Sequence, residues 1–287
     1  MNFTNIAVIG AGTMGQGIAQ WLAQAGVNVE LTDQSVDLLK KSKNLIFESW
    51  DKLEKKGKFT NEECEQFKQN ITVLEQNQLN KKSDLVIEAI YENLDVKKQL
   101  FADLDQYFEE DTSFVSNTSS FSMKEIGSDL PDSRKARFFG LHFFNPAPIM
   151  KLVEIVQSEW VDETIIVETK KWLIDKGKVA ALCKDSPGFI VNRVARNFYG
   201  EAFRIVSDDN PQKMKELDKV MREVGGFRMG PFELMDLIGI DINYAVTVSV
   251  WEAFRRHPRF APHSLQKKMV DEKRFGKKIG RGFYEYE

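Results

Sequence analysis

Asn5-Ile6-Ala7-Val8-Ile9-Gly10-Ala11-Gly12-Thr13-Met14-Gly15 decides the fold, together with Val27-Asn28-Val29-Glu30-Leu31 and Asp33 further on. An apolar strand runs straight into a glycine-rich turn, an amphipathic helix follows, and a second apolar strand ends at an acid. Each part has a physical task. Gly10 permits the tight turn, Gly12 lets a pyrophosphate approach the backbone, and Gly15 lets the helix lie close to its strand. Thr13 and Met14 open that helix, whose N-terminal N–H groups and partial positive charge face the phosphates. A carboxylate at Asp33 accepts hydrogen bonds from an adenosine ribose and repels a 2′-phosphate, so the pattern favours NAD over NADP. A glycine-rich turn without a ligand is the plainer reading, and the flanking strands and acid argue against it.

The alternation continues outward from this unit. A charged helix is expected from Ser35 to Lys56 and a shorter one from Asn61. Apolar runs follow at Ile71–Leu74, Leu85–Ala89, Phe114–Ser116, Arg137–His142, Leu152–Val156 and Val179–Cys183, with helical patterns at Leu94–Phe108 and Glu163–Lys176. Such a succession implies an α/β fold with a mainly parallel, doubly wound sheet. After Asp185 the chain reads as helices, at Ile190–Val206, Gln212–Val224, Pro231–Leu237 and Asp241–Phe254. A strand is expected only at the terminal Gly282–Tyr286. Two domains result, residues 1–184 and an all-α C-terminal domain of residues 185–287.

Composition narrows the function classes. The 287 residues carry a net charge of −3, which gives no electrostatic reason to expect nucleic acid or an anionic membrane. No apolar run approaches the ~20 residues of a membrane span, and the first strand leaves no room for a leader peptide. Cys64 and Cys183 match no zinc or redox spacing, so no metal site is expected. A cytoplasmic protein with reduced thiols fits.

Several residues are out of place unless they do chemistry. His142 sits among apolar neighbours in Phe138-Phe139-Gly140-Leu141-His142-Phe143-Phe144-Asn145-Pro146. Glu154 sits in Lys151-Leu152-Val153-Glu154-Ile155-Val156, where an unpaired carboxylate would cost several kcal/mol. Two neighbouring strands with one ionisable group each suggest a pair, with Glu154 fixing the imidazole tautomer so that His142 can act as a general base. A core histidine bonded to a carbonyl is the plainer alternative. Ser116-Asn117-Thr118-Ser119-Ser120 follows a strand at the ligand-binding edge; it reads either as turn and cap, with Ser122 and Glu125 as a capping box, or as donors for a reacting oxygen and a nicotinamide. Asn192, inside a helix, is unfavourable there unless it hydrogen-bonds. Glu92 and Lys97 read as a solvated pair, His257 and His263 as solvated, and the lysines from Lys40 to Lys58 as an exposed face or a polyphosphate clamp.

With these blocks in order, the chain resembles the single-function, L-specific 3-hydroxyacyl-CoA dehydrogenases over essentially its whole length. The likeness rests on the glycine motif, Ser116–Ser120, Gly140–Pro146, Leu152–Glu154, Asp185–Arg193, Gly230-Pro231-Phe232-Glu233-Leu234, and Gly276-Lys277-Lys278 to Gly282-Phe283-Tyr284. It implies a Rossmann-type NAD domain, a helical domain that dimerises, and substrate in the cleft between them. By resemblance His142 is the base and Glu154 its partner. Ser119 and Asn192 hold the reacting oxygen and thioester. Asp33, Glu92, Lys97, Ser119, Asn145 and Lys278 contact NAD, and Ser49 and Lys56 contact CoA. The segment around Asn192–Ala202 and Gly225–Gly230 is similar to the branch acting on 3-hydroxyadipyl-CoA. There Arg196, Arg222 or Arg228 could receive a distal carboxylate, or could pair with Glu201, Glu223 or Glu233. A free sugar-acid dehydrogenase such as a gulonate dehydrogenase, and a non-catalytic NAD-binding relative such as some crystallins, are the rival readings.

Overall fold

Ile6, Ala7, Val8 and Ile9, the last four residues of β1 (Asn5–Ile9), are all buried, which an aliphatic run achieves in the middle of a sheet covered on both faces. The computed structural model describes residues 3–286 and divides into two units, Met1–Ser186 and Pro187–Glu287. In the first unit the chain proceeds from β1 through α1 (Thr13–Gln24), β2 (Asn28–Thr32), α2 (Val36–Lys55), α3 (Asn61–Gln69), β3 (Ile71–Val73), β4 (Leu85–Glu88) and α4 (Leu94–Tyr107). It continues through β5 (Ser113–Ser116), the one-turn α5 (Met123–Ile126) and α6 (Asp132–Lys135), β6 (Phe138–Phe143), β7 (Leu152–Gln157), α7 (Glu163–Asp175) and β8 (Val179–Lys184).

The eight strands form one sheet in the order β3-β2-β1-β4-β5-β6-β7-β8. All neighbours are parallel except β6 and β7. The order turns back between β1 and β4, and crevices for ligands open at such a reversal. Caps written in the sequence set the helix starts. Ser35 accepts from Leu38 N, Thr60 and Glu63 form a capping box, Asn93 accepts from Val96 N, and Ser122 and Glu125 form the box expected of them. Trp21, Trp172, Phe3 and Phe143 pack together against the sheet.

The second unit comprises α8 (Val191–Val206), α9 (Pro211–Glu223), α10 (Pro231–Ile238), α11 (Ile240–Ala253) and α12 (Ser264–Asp271). Its core is built on Phe203, Phe232, Met235, Met269 and Phe283. α12 departs from the sequence reading, which placed His263 in a solvated connection. His263 is instead the N-cap of that helix: it accepts from Leu265 N and lies parallel to the Phe203 ring at 5.1 Å, with burial lowering its pKa. His257 does a similar job, accepting from Arg259 N at the start of a 3-10 turn, Pro258–Phe260. The expected terminal strand is also corrected. Gly282–Tyr286 makes only isolated bridges, because buried Asp236 claims its backbone by accepting from Phe283 N and Tyr284 N. A Cβ on Gly282 would come within 2.1 Å of that carboxylate.

Among the described residues no single helix is long and apolar enough to cross a membrane, and no cluster of His, Cys, Asp or Glu side chains could hold a metal ion.

Candidate active site

The glycine turn follows β1 directly. Gly10 has φ +105°, and a Cβ there would meet Ala89 O at 2.6 Å. At Gly15 a Cβ would meet Gly10 O at 1.8 Å, so only glycine lets α1 approach this closely. At Gly12 nothing stands within 4 Å of a Cβ position, leaving the backbone approachable from outside. Thr13 and Met14 start α1, whose N-terminus has neither a side-chain cap nor an acid in its first turn. That N-terminus is suited to an anion. Asp33 ends the turn after β2. Its Oδ2 accepts from Ala11 N at 2.8 Å and its Oδ1 from Ser35 N at 2.9 Å. Each oxygen keeps a second lone pair for a ribose hydroxyl. A cavity of about 750 Å³ opens here, lined by Gly10, Gly12, Asp33, Ala89, Tyr91 and Val96 among others, a size suited to a small organic ligand. An open backbone at Gly12, an uncapped helix end and an oriented acid together fit a dinucleotide.

Farther along the same sheet edge, β6 and β7 pair so that His142 faces Glu154 directly in register. The His142 Nδ1 and Glu154 Oε2 lie 2.6 Å apart. His142 is 6% exposed and Glu154 fully buried, so the contact forms in surroundings of low polarisability, where it is strong. A carboxylate against Nδ1 favours the tautomer with its proton there and leaves Nε2 as the nitrogen with a free lone pair. Phe144 tilts against the imidazole, centroids 4.6 Å apart, and limits its rotation.

The Ser116–Ser120 loop stands beside this pair. Ser116 is level with Gly140 in the β5–β6 register, and Asn117 Oδ1 accepts from Phe143 N at 2.8 Å. The loop is therefore tied to the strand that carries His142. Glu92 fixes the loop from the other side: Oε1 accepts from Thr118 Oγ1 at 2.5 Å and from Ser119 N at 3.2 Å. Ser119 remains partly accessible and Asn145 is exposed at the end of β6.

Lys97 overturns the reading of a solvated pair. It is 1% exposed, and its ammonium binds Glu88 Oε1 at 2.5 Å and Glu92 Oε2 at 3.1 Å. Glu88, fully buried at the end of β4, also accepts from Ser116 Oγ and Ile90 N. The sequence reading missed Glu88, although an acid ending an apolar run is the signal that drew attention to Glu154. Lys178 was missed too. Its ammonium donates to Ala147 O and Met150 O and lies over the Trp21 ring at 4.6 Å. It thereby pins the loop that carries Asn145, and burial drives its pKa down to about 8.

Ser49 lies on α2 and accepts from Gln20 Nε2 at 3.1 Å, while Lys56 is exposed at that helix's C-cap. In the second unit Asn192 sits in the first turn of α8. Lys278 binds both oxygens of Asp241 at 2.6 Å. The three arginines separate clearly. Arg222 pairs with Glu233, Arg228 is exposed, and Arg196 is buried without any of the expected acids. Glu201 goes to Arg204 and Glu223 to Lys219.

Comparison with known proteins gives a consistent result. The family model described as 3-hydroxyacyl-CoA dehydrogenase, NAD binding domain, matches residues 5–186, and that of the C-terminal domain matches residues 188–286. A 3-hydroxyadipyl-CoA dehydrogenase of Escherichia coli (strain K12) is 42% identical over 287 residues, all of this chain and 60% of the relative. The mitochondrial hydroxyacyl-coenzyme A dehydrogenase of Sus scrofa is 40% identical, over 98% of this chain and 91% of its own. Among solved structures, a (S)-3-hydroxybutyryl-CoA dehydrogenase of Ralstonia eutropha superposes with a TM-score of 0.91 at 33% identity, covering both chains fully. The chain thus spans well under two thirds of the Escherichia coli relative and nearly all of the pig enzyme.

Proposed function

The chain belongs to the 3-hydroxyacyl-CoA dehydrogenase family, and from that premise we propose that it oxidises an L-3-hydroxyacyl-CoA reversibly to the 3-ketoacyl-CoA with NAD. The observation that carries the reading is the buried His142–Glu154 contact of 2.6 Å at the sheet edge where the glycine turn also opens. NAD, when bound, supplies the hydride acceptor. Gly10, Gly12, Thr13, Met14, Gly15 and Asp33 would hold its adenosine and pyrophosphate half; Glu92, Lys97, Ser119, Asn145 and Lys278 are proposed for the remainder.

The protein's own part is proton management and orientation. His142 Nε2 takes the proton from the 3-hydroxyl, and the imidazolium so formed is stabilised by the Glu154 carboxylate on its other nitrogen. Ser119 and Asn192 donate to the oxygen as it becomes a carbonyl, a stabilisation that grows toward the transition state. Glu92 and Asn117 keep the Ser119 loop and the His142 strand in fixed relation, which spares the reaction that ordering cost. On α2, Ser49 and Lys56 are proposed to contact the CoA portion.

A homodimer and a cytoplasmic setting complete the reading. Val220, Val224 and Phe227 present apolar side chains to solvent on the second unit, as a subunit contact requires. Cys64 and Cys183 are free thiols. The test is NADH absorbance with 3-hydroxybutyryl-CoA beside a free hydroxy acid such as gulonate. Turnover of the thioester alone is expected. Turnover of the free acid alone, or of neither, would overturn the proposal.

A further inference from the structure

Glu88 closes β4 fully buried, and its two oxygens face two different parts of the site. Oε1 accepts from Lys97 Nζ at 2.5 Å and from Ile90 N at 2.8 Å. Oε2 accepts from Ser116 Oγ at 2.5 Å. Ile90 and its neighbour Ala89 line the cavity that opens at the glycine turn, where a Cβ at Gly10 would meet Ala89 O. One oxygen therefore fixes the bed of the dinucleotide cavity. The other holds the strand end from which the Ser119 loop departs.

That loop has no helix or strand to order it, yet each backbone N–H from Asn117 to Phe121 has an acceptor. Asn117 N donates to Glu88 O at 2.8 Å. Thr118 N donates to Ser116 Oγ, the hydroxyl that binds Glu88. Ser119 N donates to Glu92 Oε1. Ser120 N and Phe121 N both donate to Thr118 Oγ1, which itself donates to Glu92 Oε1. Lys97 Nζ closes the circuit by bridging Glu88 Oε1 and Glu92 Oε2. The connections thus run from Glu88 through Ser116, Thr118, Glu92 and Lys97 back to Glu88. Ser119 Oγ stays outside them, 3.4 Å from Ser120 Oγ, and is available to a ligand.

Stability does not account for this arrangement. Withdrawing two charges from water offsets most of the attraction between them, and apolar side chains of similar volume often hold such a site as well or better. What a buried, fully bonded carboxylate adds is fixed geometry. Donors converge on Glu88 from β5, from α4 and from the segment after β4, and none can move without leaving a charge or a donor unpaired. Resting on the reading of Ser119 as a donor to the reacting oxygen, we propose that Glu88 is a positioning residue of the dehydrogenase, setting the distance between the cofactor's bed and the Ser119 hydroxyl. Being fully buried, it acts through Ser116 and Glu92 and touches neither ligand.

Ser116→Ala removes the hydroxyl on one side of Glu88 and leaves every charge of the circuit paired. Glu88→Gln keeps the side chain's size and weakens both sides. For each variant and for the double variant, NADH formation from 3-hydroxybutyryl-CoA is measured as kcat per NAD site, alongside Kd for NAD. The sites are counted by fluorescence titration, which removes any effect of a smaller folded fraction. kcat per site should fall by about tenfold in Ser116→Ala and by about 10²-fold in Glu88→Gln, the order expected when reacting groups shift by about an ångström. Kd for NAD should stay within about threefold of wild type, since the loss lies in the chemical step. The double variant should be no slower than Glu88→Gln alone, because both substitutions act through one contact. A kcat per site within about threefold of wild type in Ser116→Ala refutes the proposal, even if Glu88→Gln fails to fold. Losses that multiply in the double variant refute it too, as does a fall in NAD affinity that matches the fall in kcat. Absence of wild-type turnover would remove the dehydrogenase reading itself, a result distinct from variants that keep the wild-type rate.

Discussion

Replacing Glu154 by Gln keeps the side chain's size and removes its charge at a site with no access to water. A Nδ1 to Oε2 distance of 2.6 Å puts the charge centres of an imidazolium–carboxylate pair roughly 4 Å apart, and at an effective dielectric of about 20 their attraction is about 4 kcal/mol. The imidazole carries that charge only as the proton arrives. With about half of it developed at the transition state, roughly 2 kcal/mol is lost, a fall in kcat of about 30-fold, and full development would bound the fall near 10³. Initial rates of NADH formation at saturating 3-hydroxybutyryl-CoA report kcat, and fluorescence titration reports NAD affinity. The argument requires the first to fall while the second holds. A kcat within about threefold of wild type, or an equal loss of NAD affinity, would show that the carboxylate does not act through the imidazole.

Further predictions concern other parts of the structure. Gly12→Ala, whose Cβ meets nothing, should leave Tm almost unchanged and weaken NAD binding by about tenfold or more, whereas Gly15→Ala should destabilise the fold by ~2 kcal/mol or more because its Cβ would collide with Gly10 O; undiminished NAD affinity in Gly12→Ala would exclude the phosphate approach proposed there. Lys178 has a folded pKa of about 8 against an ordinary 10.5, so between those pH values the unfolded chain holds more protons and stability should rise with pH. Denaturant titrations at pH 8 and 10.5 on wild type and Lys178→Met should show that rise reduced in the variant, and identical rises would contradict it. Burial lifts the Cys183 thiol to about 12 and also raises that of Cys64. Both should react slowly with a disulfide reagent at pH 8 in the native protein and quickly in denaturant; fast native labelling would count against this burial.

What could be read from the sequence was local, or was marked by a chemical misfit. The glycine turn, the strand–helix alternation and the Ser122–Glu125 box all follow from neighbours along the chain. The contact between His142 and Glu154 was legible because each is a lone ionisable group in an apolar strand and the strands adjoin. The Glu88–Lys97 pair was not read, although its logic is the same, since Glu88 closes an apolar run and its cation lies a helical turn inside α4. Helix α12 was obscured by Pro258, Pro262 and two histidines, whose role as caps depends on folded geometry. The hold of Asp236 on the C-terminal segment spans 47 and 48 residues and leaves no local trace. Among the arginines, only the packing of α8 against α11 separates Arg196, which meets Asn243 and Thr247, from Arg222, which finds Glu233.

One substitution bears most directly on the account. His142→Gln preserves a polar side chain of similar volume and removes the imidazole, the group proposed to take the hydroxyl proton. Steady-state kinetics with 3-hydroxybutyryl-CoA, alongside a measured NAD affinity, should show kcat lowered by at least ~10²-fold with the affinity nearly unchanged. A variant that turns over at close to the wild-type rate would contradict the assignment of His142 as the base.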